Sequence, residues 1–276
     1  MSTIAFWSPF AEMGCSSSTL MSAYATAFQY RTRVLLVNTG QANCGIEAGI
    51  FQDEKLPADV LYSFEESGWD AIERLFISGS LNKHNLRDYT KPLLKDRLDL
   101  LTGSMNKSER SASEKGEVLK KLLETANQCY DLVLLDAERS NINPQLIVQQ
   151  ADYVVVVLNQ NMRNLKQFFE EILPEQLNEQ KLHVLINKYD SHSRVTLSNI
   201  KRGFRYKGSI SAIPYTTGYL DAMNRRDVAR YLQLENLSEK KDVRKGSLTA
   251  GIGELTRLIM DGAGMRTMLK RLERGA

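Results

Sequence analysis

The feature that most constrains this chain is a series of short, uninterrupted apolar runs separated by segments of helical spacing. Ile4–Trp7, Val34–Val37, Leu132–Leu135 and Tyr153–Leu158 are continuous, Leu182–Ile186 nearly so, and Leu98–Leu101, just before Thr102 and Gly103, is a further candidate. A strand with one wet face alternates apolar and polar residues, whereas a strand covered on both faces has no need to. The runs are therefore expected to be parallel strands sandwiched between layers. Thr19–Tyr30, Glu117–Gln128 and Leu165–Leu177 are long enough to serve as crossovers between them. The alternation predicts an α/β fold, a doubly wound and mostly parallel sheet flanked by helices.

Length and composition narrow the function classes. At 276 residues the chain is read as one domain over 1–276, because strands of the same type continue past every polar stretch. Its 42% hydrophobic and 25% charged content is ordinary for globular proteins and excludes wholesale disorder, collagen and coiled coil. A net charge of +3 is too small to argue for a nucleic-acid coat. Cys15, Cys44 and Cys129 fit neither a disulfide framework nor a CxxC metal site, which points to a reducing compartment. No basic leader precedes the first apolar run and no stretch has the roughly 18 apolar residues of a spanning helix, so a cytoplasmic location is expected. His84, His183 and His192 lack metal-ligand spacing and are expected to be solvated or at strand ends. Gly103–Gly116 reads as a mobile surface loop and Asp190–Ser209 as a second polar stretch.

A strand at Ile4–Trp7, a loop, and a helix opened by Ser16-Ser17-Ser18-Thr19 make the layout of a phosphate-binding turn. Backbone N–H groups and the dipole at a helix start attract anions, and a hydroxyl there can ligate Mg²⁺. The same residues also suit a plain Ser-capped helix, so both readings stand on the residues alone. Cys15 at this helix start is either a small filler or a thiol with a depressed pKa.

The order of segments resembles the ParA/MinD group of P-loop ATPases over almost the whole length. That group has a KGGxGK[ST] loop after its first strand, matched in position by Phe10-Ala11-Glu12-Met13-Gly14-Cys15-Ser16. Its VLLIDLDPQGN segment is matched by Val34-Leu35-Leu36-Val37-Asn38-Thr39-Gly40-Gln41-Ala42-Asn43, and its third-strand segment by Leu98–Gly103. Its YDYIIIDTPP segment is similar to Tyr130-Asp131-Leu132-Val133-Leu134-Leu135-Asp136-Ala137-Glu138. Ala151-Asp152 before a valine-rich strand, Val184-Leu185-Ile186-Asn187-Lys188 and Ile213-Pro214 complete the series. Each piece is common, and their order is specific.

The resemblance implies ATP or ADP with Mg²⁺, held by Gly14, Cys15, Ser16, Ser17, Asp136, Asn187 and Pro214, with Ser16 and Asp136 on the metal. It implies that Asn187 reads the adenine edge and that the Pro214 region lines the base. The departures weaken the chemistry. Both family lysines of the loop are replaced, by Phe10 and Cys15, two glycines are Ala11 and Glu12, and the aspartates after the second strand are Asn38 and Gly40. Positioned cations supply most of phosphoryl-transfer catalysis, so hydrolysis is expected to be lost or weak. Asp136 alone keeps the acidic identity, with a strand-end carboxylate capping a turn as the alternative.

Two further segments bear on partners. Lys201, Arg202, Arg205 and Lys207 interleave with Phe204 and Tyr206 as in nucleic-acid binders, or form a solvated loop face. Met265, Met268, Leu269 and Leu272 fall on one helical face among basic residues, in a tail at 263–276 similar to the one with which MinD reaches membranes, or pack on the domain. The expected function is a cytoplasmic localisation or scaffold factor with protein partners, dimeric by resemblance and peripheral at the membrane if the tail binds lipid. Substituted Walker A loops are similar to the TadZ/CpaE branch, which positions Flp/Tad pilus machinery. An active ParA-type partition ATPase binding DNA and a MinD-like membrane-recruited regulator are the alternatives.

Overall fold

A computed structural model describes residues 2–51, 67–105, 110–138, 140, 142–177, 181–238 and 246–265. Eight strands, β1 (Ser2–Trp7), β2 (Val34–Asn38), β3 (Lys91–Leu94), β4 (Leu98–Leu101), β5 (Leu132–Asp136), β6 (Tyr153–Leu158), β7 (Leu182–Tyr189) and β8 (Ser209–Pro214), form one sheet. Their order is β3-β4-β2-β5-β1-β6-β7-β8. All neighbours are parallel except the edge strand β3, which runs antiparallel to β4. Every run read from the sequence as a buried strand is one.

Their continuous apolar character follows from cover on both faces. Alternate residues such as Ile4, Phe6, Leu36 and Leu134 face a layer containing Leu20, Met21 and Tyr24 of α1 (Cys15–Gln29) and Ile252, Leu255 and Ile259 of α10 (Leu248–Gly262). Ala5, Trp7, Val37 and Leu135 face the opposite layer, where α2 (Trp69–Ile77), α3 (Ala112–Ala126) and α4 (Pro144–Gln150) supply Ile72, Leu119, Leu122 and Ile147.

Several expectations are corrected. β3 and β8 are absent from the sequence reading because their burial is partial and their composition mixed. The polar stretch Gly103–Gly116 contains the start of α3, where Ser111 and Glu114 form a reciprocal capping box, an S-x-x-E signal that was legible. Residues 106–109 lie outside the described part, but Ser104 is buried and its hydroxyl donates to Asp70 at 2.5 Å. The helix expected over Leu165–Leu177 is α5 (Met162–Gln167), a π turn over Phe168–Ile172 and α6 (Leu173–Gln176). Pro174 has no N–H for the preceding turn, and the wider turn accommodates it. The polar stretch after β7 holds α7 (Leu197–Gly203), capped by Thr196. The remaining helices are α8 (Thr217–Asn224) and α9 (Val228–Ser238).

Because the strands are parallel, the carboxyl ends of β1, β2, β5, β7 and β8 share one edge of the sheet. The register pairs Phe6 with Asp136 and Asn38 with Asp136. The order reverses beside β1, which is where open α/β sheets bind ligands.

Candidate functional site

The loop from β1 to α1 is turned by one glycine and one glutamate. Phe10 is half-buried and packs against both core layers, and Glu12 takes the left-handed region at φ 61°. Gly14, at φ 87°, is the turn's glycine, and a Cβ there would collide with the Asn187 amide. That amide donates to Met13 O at 2.9 Å, and Lys188 Nζ donates to Glu12 O at 3.4 Å, so the end of β7 pins the loop.

At the head of α1 stands a carboxylate. Ser16 N donates to Glu138 Oε2 at 2.9 Å, and Ser16 Oγ to the same oxygen at 3.3 Å. Glu138 reaches it because Glu138 N donates back to Asp136 Oδ1 at 3.2 Å, turning the chain just after β5. Asp136 thus caps the turn after β5 through its Oδ1. No Ser side chain caps α1, and the cap arrives from 122 residues away as an anion favoured by the helix dipole.

Asp136 is fully buried, and its Oδ2 has no well-formed hydrogen bond although the Ser16 hydroxyl is near it beside Gly45. Burial, against the Ser16 hydroxyl and the Glu138 and Ile46 N–H groups, raises its pKa from 3.8 to about 7, with the Glu138 charge adding to the rise. Cys15 is 1% exposed, and burial first, then Glu138 and Asp136, pushes its thiol well above the usual range. The depressed-pKa reading is overturned, since two carboxylates oppose a thiolate there. Alkylation of the folded protein at neutral pH is expected to modify exposed Cys44 within minutes and leave Cys15 unmodified until denaturant is added. Tryptic mass spectrometry checks this, and early labelling of Cys15 would contradict the burial.

Asn38 does not face a ligand. Its Nδ2 lies 2.6 Å from Glu47 Oε1, 3.1 Å from Gln41 O and 3.3 Å from Cys44 O, while Oδ1 accepts from Gly40 N at 2.9 Å. Buried Glu47 also accepts from Gly103 N at 2.7 Å and Asn43 N at 2.8 Å. The amide and the carboxylate hold the β2 loop closed against the end of β4.

Beside the α1 head lies a shallow open cleft of about 90 Å³, lined by Ser17, Asn187, Pro214, Tyr215, Tyr219 and Leu220 among others. Tyr219 Oη donates to Ser17 O at 3.1 Å and ties α8 to α1. Asn187, Pro214 and Ser17, separated in sequence, are thus brought together, and Gly14 contacts Asn187.

Other sequence candidates sit elsewhere. Lys201, Arg202, Arg205 and Lys207 are exposed, but Phe204 stacks on Phe169 with centroids at 4.8 Å and Tyr206 packs tilted against it at 5.1 Å, so these aromatics serve the core rather than bases. Met265 is 7% exposed and packs with the α1/α10 layer, the packing alternative of its two readings rather than a membrane contact. Met268, Leu269 and Leu272 lie outside the described residues. His84 and His192 are exposed, but His183 is buried in β7 between Ser209 Oγ at 2.8 Å and Ser211 Oγ at 2.7 Å, and burial lowers its pKa to about 3. Glu138, Glu47 and Tyr219 were missed, and for Glu138 the signal was a carboxylate two residues beyond a strand-end aspartate.

A nucleotide with Mg²⁺ fits this edge only in part. The cleft brings Ser17, Asn187 and Pro214 to one open, mostly apolar depression. The phosphate half does not fit: the N–H and hydroxyl of Ser16 are committed to Glu138, Cys15 stands where the family has lysine, and Asp136 shares its surroundings with a second carboxylate. Among the described residues no group of His, Cys, Asp and Glu is arranged to hold a metal, and no helix is long and apolar enough to cross a membrane.

No protein-family model matches the chain, and no curated protein matches it in sequence. Solved structures do match in fold. A ParA family ATPase from Chlorobium tepidum is 15% identical with a TM-score of 0.66, over 92% of this chain and 98% of that one. MinD from Pyrococcus horikoshii, complexed with Mg-ADP, is 14% identical with a TM-score of 0.61, over 97% and 99%. A putative plasmid partition protein from Borrelia burgdorferi, bound to AMPPNP, is 17% identical with a TM-score of 0.61, over 95% and 97%. With the strand order and the turn geometry, these likenesses show that the chain has the fold of the ParA/MinD ATPases.

Proposed function

We propose that this chain uses the ATPase fold without hydrolysis, as one domain acting as a cytoplasmic localisation or scaffold factor that recruits other proteins. The observation that carries the reading is the Glu138 carboxylate bonded to both Ser16 N and Ser16 Oγ at the head of α1. Phosphoryl transfer needs cations and free backbone donors around the phosphates. Here a resident carboxylate holds the donors, and Phe10 and Cys15 replace the cations. The structural neighbours include a MinC:MinD complex from Aquifex aeolicus, 17% identical with a TM-score of 0.62, and we take protein recruitment from that likeness and a homodimer from the resemblance of the segment order to ParA and MinD. Within this reading the partner is Flp/Tad-type pilus machinery, on the likeness of the substituted loop to the TadZ/CpaE branch.

The test is phosphate release from ATP with Mg²⁺, followed with sedimentation of the same samples. Release at the rate of a protein-free control is expected, and steady turnover would overturn the reading and restore the partition ATPase. A fluorescent fusion in the cell of origin is expected to form a discrete focus coincident with the pilus machinery, and a uniform signal would count against the localisation role.

A further inference from the structure

Charge is unevenly spread along this chain. Between Lys181 and Ser209 stand seven lysine and arginine residues against one acid, Asp190, whereas the net charge of the whole is only +3, so the remainder is on balance acidic. The fold gathers most of that surplus at one place. Lys201 and Arg202 end α7, Arg205 and Lys207 follow it, and all four are exposed. β7 and β8 pair His183 with Ser209, and two residues before each stand exposed Lys181 and Lys207, at the starts of adjacent strands. Among the described residues none of these five cations has a carboxylate within ion-pair distance.

The turn that carries them is both fixed and strained. Tyr206 N donates to Lys201 O at 3.0 Å and Arg205 N to Arg202 O at 3.4 Å, the paired bonds with which a helix closes on a left-handed residue. That residue is Arg205, at φ 52°, where glycine is the usual occupant and a side chain crowds the backbone. Phe204 and Tyr206, packed against Phe169, fasten the turn to the core, and Arg202 Nη2 donates to Asn199 Oδ1 at 2.9 Å. The helix dipole accounts for cations in the last turn of α7. It does not account for Lys181 and Lys207 at the strand starts, nor for arginine in the place of glycine.

We infer that the C-terminal turn of α7 docks an acidic segment of a protein partner, and that Arg205 is kept in its strained conformation to present a charge to that segment. This names the kind of partner for the scaffold reading above and rests on it. Arginine forks bind carboxylates through two bonds at once, and Asn199 already orients that of Arg202. The extent of the patch suits a short run of Asp and Glu. Duplex DNA is held tightly through about six to ten phosphate contacts, more than this one turn offers. Single strands are held on aromatic faces, and here Phe204 and Tyr206 turn theirs to Phe169.

Fluorescence anisotropy of a labelled oligoglutamate peptide, titrated with the full chain, tests this. Saturable binding is expected, weakening as salt rises. Arg205→Gly is expected to lose about threefold or more in affinity while melting at or above the parent's temperature, because glycine relieves the backbone. Adding Lys201→Ala is expected to bring the loss to about tenfold, and Lys120→Ala, at an exposed cation of α3, is expected to change nothing. No saturable binding, an equal loss in Lys120→Ala, or parent-like affinity in Arg205→Gly would each overturn the inference. So would tighter, Arg205-dependent binding to a DNA duplex or to phosphatidylglycerol vesicles, which would make the turn a nucleic-acid or lipid site. Phosphate release from ATP and a uniform fluorescent fusion are separate readouts that count against the scaffold reading itself.

Discussion

Replacing Asn38 by aspartate, the residue the ParA/MinD pattern carries there, is expected to destabilise the fold by about 3–5 kcal/mol rather than to restore a metal site. The Asn38 amide is 2% exposed, and its Nδ2 sits 2.6 Å from Glu47 Oε1 with two carbonyls in reach. Aspartate has no donor to offer them and places a second carboxylate against a buried first. Two carboxylates at that separation cannot both ionise without a large cost, so one must take up a proton or the loop must open. Urea unfolding at pH 7.5 measures the loss, and lowering the pH is expected to recover part of it. Glu47→Gln in the Asn38→Asp background removes the repulsion, and the double variant should be more stable than the sum of the single losses predicts by more than about 1 kcal/mol. Stability of Asn38→Asp within about 0.5 kcal/mol of the parent would mean that the network is not what holds the loop.

Asp136→Asn is expected to act in the opposite direction. The unfolded chain releases this proton near 3.8, whereas the folded chain holds it up to about pH 7. Between those values the folded state binds more protons than the unfolded one, so the stability of the parent falls as pH rises through the window. Above pH 7 the full cost of the buried charge is present, up to about 4 kcal/mol from the conversion of about 1.36 kcal/mol per unit. Asparagine keeps the Oδ1 that accepts from Glu138 N and carries no charge, so it removes that cost. The variant should be more stable than the parent at pH 8, equal to it near pH 4, and free of the decline between. Parallel stability profiles for the two proteins would show that Asp136 is not the titrating group.

The two variants bear on why the site has the chemistry it has. In the family pattern, acidic residues after the second and fifth strands serve a metal bound with phosphates. Here one position is an amide wired into a structural network with Glu47, and the other is a buried carboxyl, its pKa raised by burial, that caps a turn. Glu138, which that turn projects, takes the helix start for itself.

Most of the sheet was legible in the residues. Four strands appear as uninterrupted apolar runs and two more, β4 and β7, as runs broken by one polar residue, Asp99 and His183, because helices cover both their faces, and burial on two faces leaves a one-dimensional mark. β3 and β8 lacked that mark, because an edge strand and a partly covered one can carry polar residues. The start of α3 was legible as Ser111 and Glu114 yet was masked by a polar neighbourhood. Phe204 and Tyr206 misled because aromatic residues among cations look alike whether they stack on a base or on Phe169.

By itself the sequence determined the layer architecture, the segment order that resembles ParA and MinD, and a loop without lysine, since each is a property of local composition and spacing. Only the tertiary structure decided what the end of the first strand and the head of α1 meet. The bond from Ser16 to Glu138 spans 122 positions, and that from Asn187 to Met13 spans 174. Such pairings depend on parallel strands ending at a common edge, which no window along the chain contains. The same three-dimensional convergence sets the protonation of Asp136, because burial and neighbouring charge, unlike residue identity, are not written in the order of the chain.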